Sequence, residues 1–250
     1  MSRNENPVGL VVGGSGGIGS ALAARLVRSG WQVIIAARDE GRLQLAAADS
    51  GAITRTVDAR NSAEVDSLVQ SVTDEFGRLD GAVNCVGSIL LKPAHLVSDQ
   101  EFTDTITINL LTAFYLLRAS ARVMMKQSEG GSIVLCSSVA AQRGLINHEA
   151  IAAAKAGVEG LALASAASYA RFGIRVNCVA PGLTRTNLTR TFTQHESVAK
   201  ASAALHPLGR IGEGSEVASA IQWLLDREQS WVTGQVIGID GGLGHLQARG

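Results

Sequence analysis

The chain is short of several residue types, and each shortage removes a class of explanation. Only three cysteines occur in 250 residues, Cys85, Cys136 and Cys178. An odd number of widely spaced thiols, each inside an apolar run, suits neither a disulfide framework nor a zinc site. It suits buried thiols in a reducing compartment. Acidic and basic side chains balance at 22 each, so no charge excess marks the chain for nucleic acid or an anionic membrane surface. No apolar run approaches the ~20 residues of a membrane helix, and Met1–Pro7 leads into a strand rather than a signal-peptide core. These features predict a cytoplasmic protein with no nucleic-acid partner, no membrane association and no metal. Aromatics are also few: five Phe, three Trp and only two Tyr, Tyr115 and Tyr169. A phenol for acid–base chemistry is therefore confined to those two positions.

Aliphatic residues are plentiful. Hydrophobic content of 46% and a mean hydropathy of +0.18 fit a sheet covered on both faces. Short runs rich in Val, Ile and Leu at 8–13, 32–37, 53–57, 80–86, 131–137, 174–180 and 235–240 read as strands. Helical patterns lie between them near 17–29, 39–48, 61–76, 98–127, 148–170 and 213–226. Such alternation predicts an α/β fold, a Rossmann-like doubly wound parallel sheet of seven strands in a three-layer αβα sandwich. There is no internal repeat or linker, so residues 1–250 read as one domain. The stretch 182–211, rich in Thr and carrying Pro207 and Gly209, looks irregular. It is either a lid over a ligand, centred near 184–206, or a solvated excursion.

Gly13-Gly14-Ser15-Gly16-Gly17-Ile18-Gly19 follows the first strand and opens the first helix. Five glycines in seven residues make a tight turn whose backbone N–H groups stay free beside a helix N-terminus, an arrangement suited to a pyrophosphate. The spacing Gly13-x-x-x-Gly17-x-Gly19 is not the ordinary dinucleotide fingerprint. It resembles that of the short-chain dehydrogenase/reductase family, with Val12 where relatives usually have Thr. The resemblance runs from Val8 to Gly242. Asn84-Cys85-Val86-Gly87 resembles the family's Asn-Asn-Ala-Gly; the run Ile174–Gly182, followed by Thr184 and Thr186, resembles the strand and turn that meet nicotinamide. Pro207-Leu208-Gly209-Arg210 and Asp240-Gly241-Gly242 are also typical. The 3-oxoacyl-(acyl-carrier-protein) reductases are the most similar subfamily.

The resemblance implies a nicotinamide cofactor held by Gly13, Ser15, Gly17, Ile18 and Gly19 at the pyrophosphate. It places Asp58 at the adenine, Asn84 and Gly87 along the floor, and Lys155, Pro181, Gly182, Thr184 and Thr186 at the nicotinamide end. Arg38 follows the second strand, where relatives with a basic residue use NADP, so NADP(H) is expected ahead of NAD(H). Two features temper this: Asp39 is either a ribose acceptor or a helix N-cap, and Gly16 stands where many NADP-dependent relatives carry a second basic residue.

In the family, Asn, Ser, Tyr and Lys act together on a carbonyl or alcohol. By position, Asn109, Ser138 and Lys155 match, with Ser137 the alternative serine. The tyrosine position is Ile151. Tyr169 lies eighteen residues along the same predicted helix, roughly 27 Å away, and Tyr115 faces away from Asn109. His148 precedes Ile151 by three residues and is the candidate substitute acid; histidine also stands there in relatives that keep the tyrosine.

Two functions fit. The first is an NADP(H)-dependent oxidoreductase reducing a 3-oxoacyl thioester-like carbonyl, free or carried on acyl-carrier protein, with impaired or atypical proton donation. The alternative is a catalytically silent cofactor-binding subunit acting as partner or regulator. The family commonly forms tetramers through helices corresponding to Leu110–Lys126 and Ala152–Ala170, so a homotetramer, or a heteromer with an active relative, is implied.

Overall fold

A computed structural model describes residues 6–247; most of the N-terminal segment read above, Met1–Glu5, lies outside them. The seven expected strands form one sheet: β1 (Val8–Val12), β2 (Gln32–Ala37), β3 (Ile53–Thr56), β4 (Gly81–Asn84), β5 (Gly131–Cys136), β6 (Ile174–Pro181) and, last in the chain, β9 (Val236–Ile239). Their order is β3-β2-β1-β4-β5-β6-β9, and every pair is parallel. The chain first winds outward through β2 and β3, then returns to the other side of β1 to lay down β4. The carboxyl ends of β1 and β4, which pair at Val12 and Asn84, therefore flank the crevice where the winding reverses. Such a switch point is where open α/β sheets hold ligands.

Both faces are covered. α1 (Gly17–Arg28), α2 (Glu40–Ser50) and α9 (Gly214–Leu225) enclose one core, with Leu22, Leu43 and Ile221 against Val11, Ile35 and Val134. α3 (Ser62–Phe76), α5 (Thr112–Met124) and α6 (Glu149–Tyr169) enclose the other, with Leu68, Leu116 and Val158 against Leu10, Ile34 and Ile133. β1 is buried along all five residues, as expected for a strand walled in on both sides.

Three local expectations are corrected. The helix expected over 98–127 is interrupted: α4 (Asp99–Ile106), closed at its start by a Ser98–Glu101 capping box, runs through a π-helical turn at Thr107–Leu111 into α5. The stretch 182–211 is not irregular. It contains α7 (Arg190–Thr193) and α8 (Glu196–Leu205), and its first strand, β7 (Thr184–Arg185), pairs with β8 (Gly212–Glu213). Finally, Glu149–Phe172 is long and apolar enough to cross a membrane by length and composition, with a mean hydropathy of 1.3 over its best window. Here it is a core helix rich in Ala, whose face Ala150, Ala154, Val158 and Ala162 is buried.

Candidate active site

A cleft of about 820 Å³ occupies the switch point. Its floor is the glycine turn, where the glycines answer to identifiable neighbours. Gly13 has φ +83°, and a Cβ there would stand 2.7 Å from the Cys85 carbonyl carbon. A Cβ on Gly19 would stand 2.5 Å from the Gly13 oxygen. The turn is pinned to the second strand, since Gly13 N and Gly14 N both donate to the Ala36 carbonyl at 2.8 and 3.2 Å. α1 then starts at Gly17 with neither a side-chain cap nor an acidic residue in its first turn. Its leading N–H groups are left for an anion. Ser15, Gly17, Ile18 and Gly19 all line the cleft, so the turn has the space and the donors that a pyrophosphate requires.

The far end of the cleft is cationic. Arg38, exposed after β2, lines it together with Arg42 and Arg60. Arg38 and Arg42 make no ion pair among the described residues, whereas Arg60 grips Asp58 in bidentate fashion at 2.6 to 3.1 Å. That hydrogen-bonded guanidinium holds the Asp58 carboxyl below its ordinary range, and Arg38 adds a smaller pull. Asp39 accepts from Arg42 N at 3.0 Å as the N-cap of α2, the structural alternative of the two weighed above. Arg42 and Arg60 went unread in the sequence. Their signals were position in the first turn of a helix that leaves the cleft edge, and proximity to Asp58.

At the other end Gly87 lines the cleft, with Asn109 and Lys155 packed behind it, and Ser138 stands two residues past the Cys136 carbonyl that holds Lys155. Lys155 is 7% exposed, and its Nζ donates to the Cys136 carbonyl at 2.8 Å. Burial lowers its pKa from the ordinary lysine value. A Cβ on Gly87, in the cleft wall, would stand 3.6 Å from Lys155 Nζ, an ordinary contact, and 3.2 Å from Asn109 Oδ1, a tight one; the amine lies directly behind that wall. Asn109 sits in the π turn, fully buried, and its side chain is committed. Oδ1 accepts from Ser88 N, while Nδ2 donates to Ser88 Oγ and the Thr105 carbonyl. It secures the loop after β4. Close approach of α6 to this turn is allowed by Gly157, whose Cβ would press on Leu110 at 2.9 Å.

The two serines separate cleanly. Ser137 is buried, and its single hydroxyl proton is shared between Glu159 Oε1 at 2.7 Å and Lys155 O at 3.1 Å. Ser138 is partly exposed; its Oγ only accepts, from Ala140 N at 3.2 Å, which leaves its proton to offer. His148 stands immediately before α6, with Nδ1 2.7 Å from the Ile146 carbonyl. A carbonyl only accepts, so Nδ1 carries the proton, and Nε2 can donate only when the ring is doubly protonated. Ile151 is 5% exposed and offers no proton at all. Tyr115 and Tyr169 pack against the core on the α3/α5/α6 face, and neither lines the cleft.

Other expected residues fall beside the cleft. Asn84 bonds Thr112 Oγ1 and its own turn at Val86 N, which ties β4 to a helix rather than to a neighbouring strand. Thr186 lines the cleft with Asn187 and Leu188. Pro181 ends β6, Gly182 N donates to Ile239 O, and Thr184 lines a second cavity of about 620 Å³ on the other side of the β7–β8 ribbon. Among the described residues no cluster of His, Cys, Asp or Glu could hold a metal.

A seven-stranded parallel sheet with a glycine turn and a cationic cleft at its switch point defines a Rossmann-like nucleotide-binding protein. A family model described as enoyl-(acyl carrier protein) reductase matches residues 13–244, and the chain belongs to the short-chain dehydrogenase/reductase family. The 3-oxoacyl-[acyl-carrier-protein] reductase of Vibrio cholerae is 34% identical over 242 residues, covering 96% of this chain and 98% of the relative. The levodione reductase of Leifsonia aquatica is 33% identical over 255 residues, covering 96% and 95%. Among solved structures, a short-chain type dehydrogenase/reductase from Mycobacterium ulcerans superposes with a TM-score of 0.90 at 33% identity, covering 99% of this chain and 93% of that one. An actinorhodin polyketide ketoreductase solved with NADPH gives 0.92 at 29% identity, covering 98% and 100%.

Proposed function

We propose that the protein is an NADP(H)-dependent oxidoreductase that reduces a carbonyl of the 3-oxoacyl thioester kind, with proton donation altered by Ile151. The observation carrying this reading is the placement of Lys155 behind the Gly87 wall of the cleft. Lys155 Nζ lies behind Gly87, anchored to the Cys136 carbonyl, and the free hydroxyl of Ser138 follows two residues later. Bound in the cleft, the dinucleotide supplies a hydride. Ser138 would hydrogen-bond the substrate oxygen through its free O–H, and Lys155 would hold the cofactor ribose and place positive charge near the oxygen as it becomes an alkoxide. Arg38 and Arg42, unpaired at the opposite end, favour the 2′-phosphate of NADP. Preference for NADPH is also consistent with the ketoreductase neighbour solved with that cofactor.

The proton that quenches the alkoxide would come from His148 in its doubly protonated form or from water ordered by Ser138 and Lys155. Loss of one general acid costs about 10²–10⁴ in rate, so turnover is expected to be slow rather than absent. The protein is expected to work in the cytoplasm as a tetramer on a small carbonyl substrate, free or carried on acyl-carrier protein.

The test is NADPH consumption with a short 3-oxoacyl thioester, run beside His148→Ala and Ser138→Ala, with NADPH affinity measured by fluorescence titration. Slow reduction abolished by Ser138→Ala supports the reading. Tight NADPH binding without turnover on any carbonyl would instead favour a silent partner subunit. No binding of either reduced dinucleotide would end both.

A further inference from the structure

Cys85 and Cys136 stand at equal height on neighbouring strands. β4 and β5 pair at Asn84 and Leu135, and each cysteine is the next residue. Their Sγ atoms are 3.9 Å apart, and both cysteines are free residues at the edge of the core, partly exposed as residues, unlike the enclosed Cys178. Cys85 lines the cofactor cleft, while Cys136 provides the carbonyl that anchors Lys155. The pair thus joins the glycine-turn side of the cleft to the lysine side. We propose that Cys85 and Cys136 are an oxidative modification site, forming a reversible disulfide with a hydroperoxide when the cleft holds no cofactor, and that this bond weakens dinucleotide binding.

The environment assigns the two sulfurs different roles. The neighbouring Cys85 thiol holds Cys136 below its ordinary pKa against the opposing effect of burial, and Lys155 contributes in the same direction. Hydrogen bonding to Cys136, together with burial, pushes the Cys85 thiol well up. Cys136, the lower of the two, therefore reacts first, through its thiolate form. Its sulfur attacks the hydroperoxide: an S–O bond forms, the O–O bond breaks, and the alkoxide takes a proton to leave as an alcohol. The sulfur is then a neutral sulfenic acid, so the negative neighbour that kept Cys85 protonated is gone. Cys85 Sγ attacks Cys136 Sγ, the S–O bond breaks, and hydroxide leaves with the Cys85 proton as water. Overall, two thiols lose two hydrogens and the hydroperoxide becomes alcohol and water.

A disulfide requires the sulfurs to close to about 2 Å, roughly half their present separation. The resulting pull is transmitted, because the Cys85 main chain is already hard against the turn: the Gly13 Cβ site lies within 2.9 Å of Cys85 C, Cys85 O and Val86 N. Drawing Cys85 towards β5 shifts the support beneath the turn that receives the pyrophosphate. Bound dinucleotide should in turn shield Cys85.

The effect on cofactor rests on the proposed function; the cross-link does not. Protein freed of cofactor is treated with hydrogen peroxide, then unfolded, alkylated and weighed intact, with and without NADPH at about ten times its Kd. The expected result is a cross-linked species lighter by two hydrogens, with only Cys178 alkylated, and full recovery on adding dithiothreitol. NADPH should slow the reaction about tenfold, the factor by which it depletes the free form. The oxidised protein should bind NADPH at least about tenfold more weakly. Cys178→Ser should cross-link normally and Cys136→Ser should not. Sulfinic acid accumulating at either cysteine without a cross-link, or a cross-linked protein that binds NADPH as tightly as the reduced one, would overturn the proposal. Failure of the reduced protein to bind NADPH refutes the proposed function instead, and the mass measurement still judges the disulfide.

Discussion

Lys155 Nζ and the main-chain oxygen of Cys136 are held 2.8 Å apart, so the amine is fixed to the end of β5 without help from any neighbouring phenol. One helical turn earlier on the same buried face stands Ile151, 5% exposed. On the proposed function, Ile151 occupies the place of this lysine's proton-transfer partner.

Restoring that partner should restore rate. Ile151→Tyr is expected to raise turnover with NADPH and a 3-oxoacyl thioester by about 10²–10⁴. Tyr is larger than Ile in an enclosed position, so a stability cost of about 1–3 kcal/mol is expected alongside. Steady-state kinetics and thermal melting of the two proteins check both halves.

Cofactor choice should follow Arg38. A charged hydrogen bond to phosphate contributes about 1.5–3 kcal/mol, so Arg38→Ala should weaken NADPH binding about 10- to 100-fold while leaving NADH nearly unchanged. Part of the preference should survive, because Arg42 also lines that end. Fluorescence titrations of the single and double variants with both dinucleotides measure this.

The segment after β7 begins hard against the glycine turn. A Cβ on Gly17 would meet Thr186 Cβ and Cγ2 at 2.9 Å, so Gly17→Val should push Thr186 away and leave the cleft loosely covered. KM for NADPH is expected to rise about tenfold or more, the order of effect seen when a positioned contact is lost. Global stability should fall by no more than about 3 kcal/mol. Kinetics and chemical denaturation separate these effects.

Acid stability should report on Asp80, far from the cleft. Burial alone would raise its carboxyl, but hydrogen bonds from Arg78, Val8 N and Arg227 outweigh this and hold it below the ordinary aspartate value. A depressed carboxylate stabilises the fold above its unfolded pKa, and that stability is lost as pH falls through the lower folded value. Melting temperature should therefore drop below about pH 4. Asp80→Asn should cost about 3–5 kcal/mol at neutral pH, as when one partner of a buried pair is removed, and should flatten the acid limb. Melting curves across pH test both expectations.

Much of this was legible in the sequence, for definite reasons. Strands walled in on both faces must be continuously apolar, so β1 and β5 stand out. The glycine turn is legible because close backbone approach tolerates nothing larger at Gly13 or Gly19. Ser138 was separable from Ser137 only by family spacing; the structure adds the reason, since the Ser137 hydroxyl is consumed by Lys155 O and Glu159. Other features left no local signal. The π turn at Thr107–Leu111 has ordinary helical composition, and what distinguishes it is the inward commitment of Asn109 to Ser88. α8 was hidden by the Thr-rich residues before it. Arg42 and Arg60 belong to the cleft through the fold, which brings the ends of β2 and β3 together.

The π turn also constrains how this chain can change. One surplus residue offsets the halves of the helix by about 100°, which lets Asn109 face inward to Ser88 while Phe114 stays on the outer surface. Deleting any one of Thr107–Leu111 would return the helix to regular winding and swing α4 around its own axis, unpinning the loop beyond β4 from which Gly87 shields the lysine. Length variation tolerated in an exposed surface loop would be destructive here, although nothing in the five residues themselves looks unusual.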